Sequence, residues 1–299
     1  MKSAGGVATL EVGVFTTASV LTIAQESGLL ERAGVRVNVQ EVAGSGQQLA
    51  GLRDGTFDLI QTSPDNIMRA RMVDALEASV IFALDTGLPQ VLAGAPGITS
   101  VAELRGATVG VDGLDSGFAF VVFDLLSAAG VDRSEVEFVS VGSSRQRLDS
   151  LASGEISGGL LSASMALGAA DRGLSVLARA SELMPWYPGV AVAALDARAR
   201  ECRPAVVAFC GALHAALDLV NNPDTRGEAV EALALGSGIT TERAEAVLSR
   251  EGAARTAGPL SSRAAAEALA KVADLRHRYT GIAPIDYFDS ELMDQILGA

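Results

Sequence analysis

The chain has 299 residues, of which 49% are hydrophobic and 20% charged, a composition that excludes disorder and fibrous repeats and leaves room for two domains of about 100–200 residues each. Thirty-six acidic against 23 basic residues give a net charge of −13, which repels polyanions and argues against nucleic acid or an anionic membrane as partner. Aromatics make up only 4%, so Ala, Val, Leu and Ile must build the core.

In chain order the two hydrophobic periods alternate. Residues 10–15 read as a strand, 19–30 as a helix punctuated by Gly28 and Gly34, and 35–42 as a strand. A short helix at 47–53 closes on Asp54-Gly55. A strand at 57–62, a helix at 64–72 with Pro64 in its first turn, and a strand at 79–84 follow. The pattern restarts with strand 91–95, short helix 101–104, strand 108–111 and the apolar helix 117–129. It continues through strand 136–141, helix 144–152, strand 156–161, helix 163–172 and strand 175–180. No sequence repeat between the two units is evident. After strand 190–195 the chain reads as helices at 204–220, 225–235, 242–250, 263–279 and 290–297. Strands separated by helices predict an α/β fold with mostly parallel sheets. Two chain crossings, near residues 89–95 and 188–194, predict two lobes, 1–90 plus 190–299 with its helical C-terminal tail, and 91–189. The longest uncharged stretch, 86–102, contains Pro89 and Pro96 and breaks as a helix, so no membrane span is expected. Residues 1–6 run directly into strand-like sequence without the apolar core of a signal peptide. The expectation is therefore either a cytoplasmic protein or one whose leader has been removed.

In open α/β sheets a ligand sits beyond the carboxyl ends of the strands, where helix N-termini offer free N–H groups. That rule selects Thr16, Thr17 and Ser19; then Gly44, Ser45 and Gly46; then Ser63, Asp65 and Asn66. In the second unit it selects Asp112, Asp115, Ser116 and Gly117, then Gly142, Ser143 and Ser144, then Ser162 and Ser164. Taken singly, each loop reads first as an ordinary N-cap. Their recurrence at six strand ends points to a site able to grip an oxyanion or a small polar molecule without a formal charge. The acids Asp65, Asp85, Asp112 and Asp115 suit a cationic or amide-bearing ligand, although Asp65 and Asp115 read first as stabilisers of helix starts. Arg145 is the basic residue at the start of a candidate helix, either pairing with an anion or solvated. Trp186 and Tyr187 precede the second crossing, either stacking on a planar ligand or filling the hinge.

Catalytic patterns are thin. His214 and His277 fall within helices, away from strand ends, and no nucleophile elbow, phosphate loop or His-Glu-x-x-His helix occurs. Val12-Gly13-Val14 and Val109-Gly110-Val111 lack the further glycines of a dinucleotide fingerprint. Cys202 and Cys210, eight residues apart around one predicted helix, would be about 12 Å apart along it, too far for a disulfide. They read as buried thiols, and with two histidines they are too few for zinc. No cofactor or metal is expected. Without clustered Arg and Lys, a multiply charged phosphate ligand is also disfavoured.

Several stretches resemble the solute-binding proteins of bacterial ABC importers for nitrate, sulfonates and taurine. They are Val12-Gly13-Val14-Phe15, Ala24-Gln25-Glu26-Ser27-Gly28-Leu29-Leu30-Glu31-Arg32-Ala33-Gly34-Val35 and Leu52-Arg53-Asp54-Gly55-Thr56-Phe57-Asp58. Pro96-Gly97-Ile98-Thr99-Ser100-Val101-Ala102-Glu103-Leu104-Arg105-Gly106, Leu148-Asp149-Ser150-Leu151-Ala152-Ser153-Gly154-Glu155-Ile156 and the closing Asp286-Tyr287-Phe288-Asp289-Ser290-Glu291-Leu292-Met293 continue the likeness. Ser157-Gly158 stands where the family has Asp-Ala. The resemblance implies a type II periplasmic-binding clamshell that closes on a small polar or anionic organic solute, sulfonate, carboxylate or pyrimidine-like. It implies delivery to membrane permease subunits by a monomeric protein at the periplasm or cell surface. By position it places Thr16, Thr17, Ser45, Thr62, Ser63, Ser116 and Ser162 along the cleft. The same fold hosts a desulfinase, decarboxylases and lyases, some cytoplasmic. The alternative is thus an enzyme acting on a small aromatic or carboxylic substrate, with Asp65 or Asp112 as its carboxylate and neither cysteine placed as a nucleophile.

Overall fold

The computed structural model describes residues 7–84, 87–254 and 261–298; Asp85 lies outside them. Ten strands are present: β1 (Ala8–Val14), β2 (Val35–Glu41), β3 (Leu59–Thr62), β4 (Ala78–Ala83), β5 (Val91–Gly94), β6 (Thr108–Val111), β7 (Glu137–Ser140), β8 (Gly158–Leu161), β9 (Ser175–Arg179) and β10 (Ala191–Leu195). They form two five-stranded sheets, ordered β2-β1-β3-β10-β4 and β7-β6-β8-β5-β9. Each sheet is parallel except for one strand, β10 in the first and β5 in the second. Those two strands follow the chain crossings. A strand entered from the carboxyl-terminal edge of the neighbouring sheet must run away from that edge, so both crossings fix the carboxyl ends of the two sheets toward each other. The crossing segments are tied by Leu84 N–H to Val190 O at 2.9 Å and Ala180 N–H to Gln90 O at 3.0 Å.

The helices bury the faces that their apolar spacing predicts. Ser19–Glu26 buries Val20, Leu21, Ile23 and Ala24. It stops where Gly28 takes a left-handed φ of 67°, so the single predicted helix becomes two, the second being Leu29–Arg32. Residues 163–172 likewise split, at Gly168, into Ala163–Leu167 and a 3-10 turn Ala170–Arg172. Arg203–Asn221 is long and apolar enough to cross a membrane, with a mean hydropathy of 1.5. Here it is a core helix whose Val206, Phe209, Leu213 and Leu217 stripe packs on Ser19–Glu26.

The tail does more than cover one sheet. Helix Ser262–Thr280 places Leu269 and Ala273 in a core cluster of the first sheet and Val272 and Leu275 in that of the second. Beyond it, Val80 N–H donates to Tyr287 O at 2.8 Å and Asp289 N–H to Val80 O at 2.9 Å, so the chain end pairs with the outer edge of β4.

The two units also share a local pattern that their sequences do not advertise. Ser45–Asp54 (SGQQLAGLRD) and Ser144–Ser153 (SRQRLDSLAS) follow the second strand of their respective βα runs. Both open on Ser and keep Gln in third position, whose Oε1 accepts an upstream N–H (Ala43 to Gln47, Ser143 to Gln146). Both bury Leu at the fifth and eighth positions and end on a left-handed Gly55 or Gly154. At the fourth position, Gln48 in one and Arg147 in the other are both buried.

Among the carboxyls held below their usual range are Glu103, by the N–H groups of Thr99 and Ser100, Asp132, by Ser134, and the half-buried Glu245, by Arg226. Each therefore binds a proton less tightly folded than unfolded. The stability they supply is present above about pH 4–5 and is lost as pH falls through the lowered values. Melting temperature followed from pH 7 to 3 should drop along this acid limb, less steeply in Glu103→Gln; an unchanged slope would remove Glu103 from the account.

Candidate functional site

The facing strand ends meet at a buried ion pair. Asp65, in the first turn of helix Pro64–Val73, and Arg276, in helix Ser262–Thr280, are each 1% exposed. Arg276 donates from Nε and Nη2 to the two Asp65 oxygens, both at 2.7 Å, the bidentate geometry that guanidinium favours. The same guanidinium reaches the second sheet's loop, with Nη2 2.8 Å from Asp115 O and Nη1 3.2 Å from Asp115 Oδ1. The Phe120 ring lies 5.0 Å away, with Arg276 over its face. Asp65 further accepts the N–H of Gly117, the first residue of helix Gly117–Ala128. Burial raises the Asp65 carboxyl above its ordinary range; the Arg276 bonds and charge, with the Gly117 N–H, oppose that rise.

Glycine at 117 is a steric requirement. A Cβ there would stand 2.6 Å from both Asp65 Cβ and the Tyr187 hydroxyl. Tyr187 is fully buried, and its hydroxyl, like the neighbouring Ser63 hydroxyl, makes no hydrogen bond of good geometry among the described residues. Burial and the Asp65 charge push the phenol well above its usual value, so it remains a neutral donor. Two neighbouring buried hydroxyls without a well-formed bond leave hydrogen-bonding capacity beside a closed ion pair.

The structure distributes the expected residues as follows. Thr62 is buried, and its Oγ1 accepts from Asn66 Nδ2 at 3.0 Å. Asp112 is half-buried and accepts the Ser116 hydroxyl at 2.5 Å, while Ser116 caps its helix by accepting from Ala119 N–H at 3.0 Å. Ser143 is exposed and acts as an N-cap in a capping box with Gln146. Ser162 caps Ala163–Leu167 and joins a hydroxyl chain, its N–H 2.9 Å from Ser144 Oγ and its Oγ 3.2 Å from Ser164 Oγ. Thr16 is exposed, its hydroxyl donating to Phe15 O. Thr17 and Ser45 are half-buried, and among the described residues no hydrogen bond joins Thr16, Thr17 or Ser45 to the second sheet's loops. Trp186 stands half-buried, 5.8 Å from the Tyr187 ring, with Lys271 Nζ 5.6 Å from its face.

The cysteines lie elsewhere. Cys210 is in the core with its thiol raised by burial; Cys202 is half-buried near Asp58 and Arg198, at the opposite end of β3 from Ser63. His214 packs edge-on to Phe82 at 6.4 Å, and His277 Nδ1 lies 3.0 Å from Ile282 O.

Sequence reasoning missed Arg276 and misplaced the cation of helix Ser144–Ser153. Arg145 is exposed, whereas Arg147 is 5% exposed, with Nε 2.8 Å from Leu160 O and Nη1 bonded to Gly142 O. For Arg276 a signal existed: Leu269, Val272, Ala273 and Arg276 lie three, four and seven residues along one stripe, where an aliphatic side chain would ordinarily stand. The bland reading of Asp65 as a helix-start residue is incomplete, because its carboxylate serves the neighbouring helix and Arg276.

Arg276→Met would strand the Asp65 charge and should cost about 3–5 kcal/mol in urea unfolding, whereas Asp65→Leu combined with Arg276→Met should recover much of it. A single-variant loss under about 1 kcal/mol would show that the pair is not effectively buried in solution. Gly117→Ala should lower the melting temperature by forcing Asp65 and Tyr187 from the helix end.

Known proteins set this geometry in context. No curated protein matches the sequence closely. The fold matches the alkanesulfonate-binding protein SsuA from Xanthomonas axonopodis pv. citri bound to MOPS, with TM-score 0.74 and 20% identity over 97% of this chain and 99% of that one. It also matches the ligand-binding component of an ABC-type import system from Staphylococcus aureus, with TM-score 0.79 and 12% identity over 96% and 98%. A mutant of DszB in complex with biphenyl-2-sulfinic acid has TM-score 0.68 and 14% identity over 98% and 99%. These likenesses establish the periplasmic-binding-protein fold. The family pattern described as NMT1/THI5 like matches residues 16–226, well over half of the sequence, and the chain belongs to that family.

Proposed function

We propose that this protein is the solute-binding component of an importer. Two lobes, 1–90 with 190–299 and 91–189, close over one small polar or anionic organic solute and present it to permease subunits. The carrying observation is the convergence of both sheets' carboxyl ends on a buried centre where, among the described residues, the neighbouring Ser63 and Tyr187 hydroxyls form no hydrogen bond of good geometry. The remaining lining consists of N–H groups and hydroxyls from Thr17, Ser45, Ser116 and Ser162, with Trp186 at the crossing. Solved neighbours that bind an alkanesulfonate or serve an ABC-type import system support the reading. It places the protein, as a monomer, in the periplasm or at the cell surface.

The enzyme alternative rests on the DszB likeness. Desulfinase-like nucleophilic chemistry finds no support in Cys202 or Cys210, since both stand away from the facing strand ends. A turnover assay separates the two readings.

A thermal-shift screen against ethanesulfonate, benzoate and cytosine, with chromatography of every hit after incubation, tests the proposal. At least one should raise the melting temperature and be recovered intact. Consumption would make the protein an enzyme, and silence across sulfonates, carboxylates and pyrimidines would end the solute-binding reading. Thr17→Ala should weaken the hit by about 1 kcal/mol. Ser116→Ala should weaken it similarly, while also lowering ligand-free stability through loss of its helix cap.

A further inference from the structure

Arg147 is the second buried arginine at the strand ends, and it differs from Arg276 in one respect. Arg276 has two carboxylates against it, whereas among the described residues Arg147 forms no ion pair. Its bonds go to Leu160 O and Gly142 O, neutral carbonyls at the carboxyl ends of β8 and β7, the strands that flank β6. Asp112 supplies the nearest favourable charge, but that carboxylate accepts the Ser116 hydroxyl rather than the guanidinium. The two N–H bonds of Nη2 have no partner among the described residues. Burial depresses the Arg147 pKa, and the Asp112 charge opposes that shift without overcoming it.

The matching position of the first unit shows that the charge is not needed to build the fold. Gln48 sits at the same place in its helix and is fully buried. Its Nε2 donates to Gln61 O at 2.9 Å, the carbonyl one residue before the end of β3, just as Leu160 is one residue before the end of β8. A neutral amide therefore ties helix to strand as well as a guanidinium does. A buried guanidinium whose one favourable carboxylate, Asp112, bonds elsewhere is only partly compensated, so an anion from outside the fold would stabilise it.

We propose that Arg147 is an anion-receiving residue of the cleft, taking one oxygen of a sulfonate or carboxylate on Nη2 beside the Ser144–Ser162 hydroxyls. This rests on the solute-binding reading and narrows it to monoanionic solutes. A second formal negative charge on the solute would be repelled by Asp112, the carboxylate that already acts on this guanidinium.

The test compares methanesulfonate with dimethyl sulfone, which has the same sulfonyl oxygens and no charge, at constant ionic strength. Wild type should bind methanesulfonate at least tenfold more tightly than the sulfone. Arg147→Gln, which installs the first unit's own solution, should keep the ligand-free melting temperature or raise it and lose that preference. Arg147→Lys should retain part of it. If the Gln variant does not fold, the guanidinium nitrogen NMR signals of Arg147 in wild type should shift on adding methanesulfonate. Equal binding of both probes to wild type, anion binding within twofold of wild type in a folded Arg147→Gln, or unmoved Arg147 signals would each overturn the assignment. The solute-binding reading would survive any of these if cytosine or another neutral solute bound intact.

Discussion

The structure depends on two opposite charges removed from water at the junction of its two sheets. Neither Asp65 nor Arg276 is tolerable alone, because a lone buried ion costs several kcal/mol after relaxation. Together they cancel, and each still has capacity for the second unit: Asp65 accepts the Gly117 N–H, and Arg276 holds the Asp115 carbonyl and carboxylate. The pair is therefore internal to one unit yet recognises the other. This explains the packing around it: a glycine where the helix meets the carboxylate, and the face of Phe120 beneath the guanidinium.

Much of the fold was legible because burial writes itself into period. β3 and β8 are buried at every position and β4 at all but Ser79, and the boundaries of Thr108–Val111 and Ser290–Leu297 agree with expectation. Departures occurred where a backbone conformation, not a hydrophobic pattern, decides. Gly28 ends one helix and Gly168 another, and a glycine in mid-pattern does not reveal whether it is tolerated or terminates. The direction of β5 and β10 comes from how the chain changes sheets, a long-range property that periodicity does not carry.

The site was less legible, for a physical reason. Ser, Thr and Asp at strand ends serve caps and ligands alike, and Ser116, Ser143 and Ser162 all cap in the structure. Long-range electrostatics then separate residues that look equivalent locally. Asp65 and Asp115 both precede or open a helix, yet one is sealed from water and the other is half solvated. Arg145 and Arg147 lie two positions apart on one helix, and only the turn of the helix decides which points outward. Alignment of the two units makes the distinction readable, because Gln48 shows what the position requires when no charge is present.

Helix Ser262–Thr280, with side chains in both cores, constrains how the protein can move. Swinging the sheets apart as free plates would peel either Leu269 and Ala273 or Val272 and Leu275 from their neighbours, at about 1.5–3 kcal/mol for each large aliphatic side chain exposed. Motion that keeps those contacts is confined to small rotation or shear around the helix. A protein held in this way has few sheet-against-sheet arrangements to give up, so a molecule binding at the junction would cost it little ordering entropy.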